Sequence, residues 1–453
     1  MAIEIFNTMG GRKQPLEPFE PPRLELFVCG PTVYDLSHLG HAKTYSQFDF
    51  IVRYLRYRGY DVFYLQNVTD VDDKIIRRAA ERGVSPAALA AEFEQYYRED
   101  MQALGNTSVT EYARAHDFID QIVDQIRRLR ERGFCYEIPG DGIYYDIEAF
   151  AGYGKLSGRS ELAAGDSVSR IDENPDKKNP GDFCLWKARK EGEPYWTTEL
   201  GEGRPGWHIE DTAITEHYFG PQYDVHGGAV DLIFPHHEAE IAQIEAASGL
   251  EPMVKCWMHT GFLNMKGEKM SKSLGNFVTI RNALERLDYR ILRFYFLRTH
   301  YRSGTDMTDD GIDQARQTLE RLQNFVRSVE RDRDDPGAAE AVDEFRAAFQ
   351  QALDDDFNTP RALGLLFDFV RDRNRAGANG RRVLQLLQEI DGLFDVLDFS
   401  TDAGDDEIQA QVDLRQQLRA ERKFAEADQI RDRLLDEGIV IEDSPSGPRW
   451  HRT

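Results

Sequence analysis

The chain has 453 residues, with 56 basic against 80 acidic side chains, a net charge of −24 and 41% hydrophobic residues. That is too long for one compact core and points to about three domains. No apolar run approaches the ~20 residues that span a bilayer, and the opening Met-Ala-Ile-Glu-Ile lacks the basic-then-apolar layout of a secretory leader, so a cytoplasmic protein is expected.

Cys29, Cys135, Cys184 and Cys256 are scattered and form no CxxC pair, which argues against a disulfide framework. The acidic balance argues at first sight against nucleic acid, which normally meets a basic surface. Arginine, however, far outnumbers lysine, and the acidic residues run along the whole chain rather than gathering in a tail. A distributed acidic surface poor in lysine suits a cytoplasm of very high salt, where charge is screened. A halophilic source is therefore expected.

Leu24 to Cys29 reads as a strand, followed by a turn at Gly30-Pro31-Thr32. From His38 a helical period places Leu39, Ala42, Tyr45, Phe48, Val52 and Leu55 on one face, closed by Gly59. Val62 to Leu65 reads as a second strand. Asp72 to Arg82 reads as a helix stopped by Gly83, and Ser85-Pro86 starts another. This alternation points to a parallel α/β sheet. Phe118, Ile122, Ile126 and Leu129 mark a further amphipathic helix ending at Gly133.

Residues 135 to 196 change character, turning rich in Gly, Asp, Tyr and Ser, with a polar breaker from Asn174 to Pro180. They read as an inserted module. The α/β pattern returns near Trp207 and runs to about 250. Residues 310 to 400 are helical and heavily charged, with Leu363, Leu366, Phe367 and Val370 expected on one face. Asp402 to Asp406 reads as an acidic linker before a small final module.

Two motifs carry chemistry. His38-Leu39-Gly40-His41 follows a strand and turn and opens a helix. A helix N-terminus offers free N–H groups and partial positive charge to phosphates. Gly40 lets a nucleotide approach the backbone, and two imidazoles one turn apart can bond phosphate oxygens as charge develops. Lys269-Met270-Ser271-Lys272-Ser273 sits between Gly267 and Gly275, where mobile ammonium groups can follow a departing pyrophosphate.

Taken together, these motifs resemble the signature pair of the class I aminoacyl-tRNA synthetases. Further stretches narrow the resemblance to the cysteinyl members of that family: Phe27 to Asp35, Asn67 to Lys74, Gly206 to Glu210, His226 to Glu240 and Trp257 to Phe262. It covers the whole chain in order. It implies a Rossmann-like parallel-sheet catalytic domain (1–118 and 197–250) with an inserted connective module (119–196). A lysine-loop and stem-contact region (251–312), a helical bundle (313–402) and a small anticodon-binding module (403–453) follow. The activity implied joins cysteine to a transfer RNA, using ATP with magnesium, in a monomer. His38, Gly40, His41, Lys269 and Lys272 would bind and activate ATP.

The family holds one zinc ion with two cysteines, a histidine and a glutamate. By position Cys29, His236 and Glu240 match, and the remaining ligand position falls on Asp211. A thiolate binds zinc far better than a hydroxyl, which lets such a site tell cysteine from serine. Aspartate ligates through oxygen, so a Cys-Asp-His-Glu set is allowed, though harder and less thiophilic. His236 and Glu240 would share a helix face if the helix begins at Pro235. Ala239 and Leu39 replace the family's common Asn and Ile at positions that are not ligands. Trp207 would wall the cysteine pocket and Thr69 would touch the substrate.

Leu353 to Leu363 resembles the family's helical bundle, and Arg422 to Trp450 its anticodon module. There Trp450 could stack on an unpaired base, the kind of contact that RNA binding would favour when salt screens the phosphates. Two other readings share part of this pattern. A cysteine ligase of mycothiol-type synthesis has the catalytic half but no need of the anticodon-like ending. A non-catalytic tRNA-binding paralogue would not need both motifs.

Overall fold

The computed structural model describes residues 2–159, 174–265, 267–269, 277–329, 333–377, 379–399, 405–444 and 447–452. They divide into two compact units, 1–397 and 398–453.

The first unit is built on a five-stranded, wholly parallel sheet. Its strands are β1 (Arg23–Val28), β2 (Asp61–Val68), β3 (Glu111–Arg114), β4 (Tyr223–Ala229) and β5 (Val254–Thr260). They lie in the order β5-β4-β1-β2-β3. Chain order therefore reverses between β1 and β4, and a doubly wound sheet binds its ligand in the crevice such a switch opens, beyond the carboxyl ends of the strands. The strands are mostly buried, as parallel strands covered on both faces must be.

The local signals behave as expected. His38 caps helix α1 (Leu39–Tyr57), whose inner residues Leu39, Ala42, Phe48 and Val52 are fully buried. Asp72 caps the helix Asp73–Arg82, and Gly83 ends it in the left-handed conformation. Ser85 caps the next helix with Pro86 in its first turn.

Two expected boundaries move. Val254–Thr260, beyond the expected limit at 250, is the edge strand of the catalytic sheet and pairs with β4 from Tyr223 to Ala229. The insert runs further than 196. Its antiparallel sheet joins Cys135–Ile138, Gly142–Tyr145, Phe183–Ala188, Gly201–Pro205 and Trp196–Thr198, so residues 197–205 belong to it. Helix Ile119–Glu131, expected to open the insert, shares one core with the insert's strands Gly142–Tyr145 and Phe183–Ala188 and with α2 (Trp207–Phe219) and α3 (Glu238–Ser248).

Beyond β5 the described residues include four longer helices, Asp309–Ser328, Ala339–Asp354, Thr359–Ala376 and Arg381–Phe394. In the third the buried stripe is Ala362, Leu363, Leu366 and Phe369. Phe367, expected on that face, is instead exposed, because a period near 3.6 carries position 369 inward after 366. A buried Arg293 ties the last of these helices to α1 and to the loop before β3. It pairs with Asp49 of α1 and donates to Asn106 Oδ1 (2.8 Å) and to the Phe394 carbonyl.

The second unit pairs helices Asp405–Ala420 and Phe424–Asp436 with a hairpin, Ile439–Ser444 and Gly447–Arg452. Its core is Ile408, Val412, Ile430, Leu434 and Ile439. Most of the expected linker lies outside the described residues. Among the described residues no helix is long and apolar enough to cross a membrane.

Candidate active site and metal centre

A cavity of about 370 Å³ opens at the β1–β4 switch point. That falls within the range of small-molecule sites. Residues from Cys29 to His41 form one side. Trp207, His236 and the segment Gly261–Leu263 form others. The β1 turn passes so close to β2 that a Cβ on Gly30 would lie 1.7 Å from the Asn67 carbonyl oxygen, so only glycine fits there.

At the cavity wall His38 and His41 stack with ring centroids 3.9 Å apart. The His41 backbone N–H donates to His38 Nδ1 (3.3 Å), and the His38 backbone N–H donates to His41 Nδ1 (3.4 Å). Each Nδ1 is thereby an acceptor, so a neutral ring carries its proton on Nε2. Burial, with His38 beside it, holds the His41 pKa well below the usual histidine range. His38, Gly40 and His41 all line the cavity. Of the two motif lysines, Lys269 lies on the short strand Glu268–Lys269, paired with Asn264 and Met265. Lys272 lies outside the described residues.

Beneath the cavity Cys29, Asp211, His236 and Glu240 converge. One ligand atom from each lies within 4.8 Å of all the others, and all four side chains are buried. His236 Nε2 is 3.1 Å from Asp211 Oδ2 and 3.0 Å from Glu240 Oε1, and Cys29 Sγ is 4.0 Å from Glu240 Oε1. Ligands at zinc bond lengths in a tetrahedron stand roughly 3.3–3.7 Å apart, so these spacings bracket what the ion requires. Glu240 Oε2 has no hydrogen-bond partner among the described residues. Burial and then Asp211 push the Glu240 pKa well up, while burial, Glu240 and Asp211 do the same to Cys29. The Glu240 carboxyl and the Cys29 thiol, crowded away from water without a cation, are held protonated, and a bound dication inverts that preference. The residues fit a metal ion.

The supporting contacts are specific. The Asn67 side-chain amide donates to Asp211 Oδ1 (2.6 Å) while its Oδ1 accepts the Gly30 N–H (2.5 Å). His208 Nδ1 lies 2.7 Å from His236 Nδ1. Trp207 stacks on the His236 ring, centroids 4.1 Å apart, and lines the cavity. Thr69 is fully buried and is not among the residues lining the cavity. It accepts from the Asn67 amide (3.3 Å), and its backbone bonds Pro31 and Val33, which carries the turn after Cys29.

A second set shares Cys29 and Glu240 with the first. His226 Nε2 and His237 Nε2 lie 3.4 and 3.1 Å from Cys29 Sγ, and His226 Nε2 lies 3.4 Å from Glu240 Oε2. These imidazoles, with His208 and His259, are buried and held neutral by burial. Their residues stand inside the stretches that carry the family resemblance, but nothing in their spacing assigns them a place under the pocket. All four cysteines are free thiols.

Comparison with known proteins agrees with this geometry. Residues 15–317 match the family described as the tRNA synthetases class I (C) catalytic domain, and residues 348–399 match the DALR domain. The cysteine–tRNA ligase of Thermococcus onnurineus is 45% identical over 478 residues, covering 100% of this chain and 99% of the relative. That of Carboxydothermus hydrogenoformans is 41% identical, covering 99% and 100%. Among solved structures, methionyl-tRNA synthetase of Mycobacterium tuberculosis with methionyl-adenylate aligns at TM-score 0.61 and 18% identity, over 82% of this chain and 92% of that one, a likeness of fold. By the extent and identity of these matches, the chain belongs to the cysteine–tRNA ligase family of class I aminoacyl-tRNA synthetases.

Proposed function

We propose that the chain activates cysteine with ATP and passes it to the 3′ end of the matching transfer RNA, with Cys29, Asp211, His236 and Glu240 holding one zinc ion that selects the amino acid. The observation that carries this reading is the convergence of the four ligand atoms directly beneath the His38–His41 cavity. Bound there, zinc supplies an affinity for the substrate thiolate that the hydroxyl of serine lacks.

The chain's own residues divide the remaining work. Trp207, held flat on His236, closes the side of the pocket above the metal ligands. In the first step the cysteine carboxylate oxygen attacks the α-phosphorus of ATP. The new P–O bond forms as the bond to the bridging oxygen breaks and magnesium pyrophosphate leaves. The Nε2–H groups of His38 and His41 donate to phosphate oxygens as charge builds on them, and Gly40 leaves room for the phosphates against the head of α1. Lys269 and Lys272 offset the charge of the departing pyrophosphate. In the second step a terminal ribose hydroxyl attacks the acyl carbon and AMP leaves. The gain comes from orientation and charge stabilisation rather than from a protein nucleophile.

The test is cysteine-dependent ATP–pyrophosphate exchange in high potassium chloride with serine as control. Strong exchange with cysteine and almost none with serine bears the reading out. Exchange with neither, in folded and zinc-supplied protein, overturns it.

A further inference from the structure

Lys43 stands two residues beyond His41 on α1 and is fully buried. A buried ammonium ordinarily needs a carboxylate, and among the described residues none lies within ion-pair distance of this one. Its Nζ instead donates to two neutral acceptors, the Gly261 carbonyl (2.7 Å) and Gln47 Oε1 (3.1 Å). Two acceptors match the two N–H bonds of a neutral amine. Burial alone lowers its pKa to about 7, so the neutral form is well populated near neutrality.

What Lys43 grips is a wall of the cavity. Gly261 follows directly on β5, and Gly261, Phe262 and Leu263 line the pocket. Thr44 bonds Thr260 through their hydroxyls (2.9 Å), so successive residues of α1 hold positions 260 and 261. From the other side the Gly261 N–H donates to the Tyr301 carbonyl (2.8 Å), and a Cβ on Gly261 would lie 2.4 Å from the Ser303 backbone. Leu263 opens the strand Leu263–Met265, which pairs with Glu268–Lys269. At the head of α1, the Leu39 N–H donates to the Val278 carbonyl (3.1 Å) and the Ile280 N–H to the Ser37 carbonyl (2.9 Å). One helix therefore carries the paired histidines and also fixes the chain on both sides of residues 270–276.

We propose that Lys43 is a positioning residue for ATP activation, setting the distance between the His38–His41 imidazoles and the Gly261–Leu263 wall that leads to Lys269. This rests on the activation chemistry proposed above.

The test compares Lys43→Met, which keeps the side chain's bulk and removes its donors, with Gln47→Met, which leaves the Gly261 bond in place. Turnover and KM for ATP and for cysteine are read from pyrophosphate exchange, alongside the melting temperature and the zinc content. In Lys43→Met, exchange turnover should fall by about ten- to a hundredfold, with zinc content and the KM for cysteine kept and the melting temperature unchanged or raised. Gln47→Met should stay within about threefold of the parent, well short of the loss that misplacement brings. Parent-like turnover in Lys43→Met overturns the role. So does an unfolded or less stable Lys43→Met chain, or an equal loss in both variants, since either marks simple packing. Absence of exchange in the parent overturns the activation reading and this role with it.

Discussion

Asp211 Oδ2 faces His236 Nε2 at 3.1 Å, with both side chains buried. An aspartate in the place where the family resemblance leads one to expect a thiolate thus points at the same spot as the other three candidate ligands, and its second oxygen is tied down by Asn67. Asp211→Ala removes one ligand and leaves the buried Asn67 amide with Thr69 as its remaining acceptor. Zinc affinity, measured by chelator competition, should fall by roughly a hundredfold or more, a loss at least as large as supporting residues produce. Asp211→Cys should bind zinc more tightly than the parent, because it restores a second thiolate. Unchanged affinity in Asp211→Ala would take Asp211 out of the ligand set and favour the neighbouring set with His226 and His237.

Much of this was legible beforehand, for identifiable reasons. The period of Leu39, Ala42, Phe48 and Val52 marks α1, although the helix is buried at every position from Ala42 to Val52. Asp72, Gly83 and Ser85 mark helix ends because caps are local chemistry. The pairing of the edge strand Val254–Thr260 leaves no local trace in the sequence, because its partner, Tyr223–Ala229, is separated from it by a helix. The five buried imidazoles under the cavity come from α2, β4, β5 and the turn before α3, and only tertiary structure joins them. Lys43 carries no sequence signal of its own, and its burial comes with a helix that is buried at every position from Ala42 to Val52.

The mutual capping of His38 and His41 gives a second prediction. His41→Ala deletes an Nε2–H donor and leaves the His38 backbone N–H without its acceptor. Exchange turnover should drop by about 10²–10³-fold, the cost of one oriented donor. Stability should fall by only about 1 kcal/mol, the worth of a cap. Single-turnover adenylate formation and chemical denaturation read the two separately. A rise in KM for ATP at unchanged turnover would instead assign His41 to ground-state binding.

Lys43 makes stability depend on pH in a stated direction. Its pKa is about 7 in the folded chain against the usual 10.5, so folding favours the neutral amine. The cost is complete below about pH 7, shrinks as pH rises through the interval to 10.5, and is gone above it. Lys43→Met escapes that cost. Its melting temperature should exceed the parent's most at and below neutrality, by an amount worth several kcal/mol at ~1.4 per pH unit, and the two should converge towards pH 10.5. A difference independent of pH would show that the amine does not titrate in this range.

The net charge of −24 predicts a dependence on salt. At low ionic strength the Debye length is about 30 Å, so repulsion acts across most of the molecule, whereas molar salt shortens it to ~3 Å. Melting temperature should fall as potassium chloride is lowered from molar to ~10 mM, and magnesium at equal ionic strength should restore it. Full stability in dilute buffer would reject the halophilic reading.

Trp450 tests the C-terminal unit. Its indole N–H donates to Gln409 Oε1 (2.9 Å), and its ring packs on the small core of Ile408, Val412 and Ile439 with Leu418 and Ile441. Part of what an alanine there removes is therefore packing. Trp450→Ala should destabilise this unit by about 2–4 kcal/mol and weaken charging, while adenylate formation in the first unit stays intact. Trp450→Phe keeps most of the packed ring and should retain the fold. Phe424, 58% exposed at the head of the helix Phe424–Asp436, offers the freer aromatic face. Stacking an unpaired base on such a face is worth about 1–3 kcal/mol. Phe424→Ala should thus raise the KM for transfer RNA by roughly five- to a hundredfold with no change in melting temperature. If Trp450→Phe charges normally while Phe424→Ala does not, the base-stacking role belongs to Phe424 and Trp450 serves the core. The reverse result would restore Trp450 as the stacking residue.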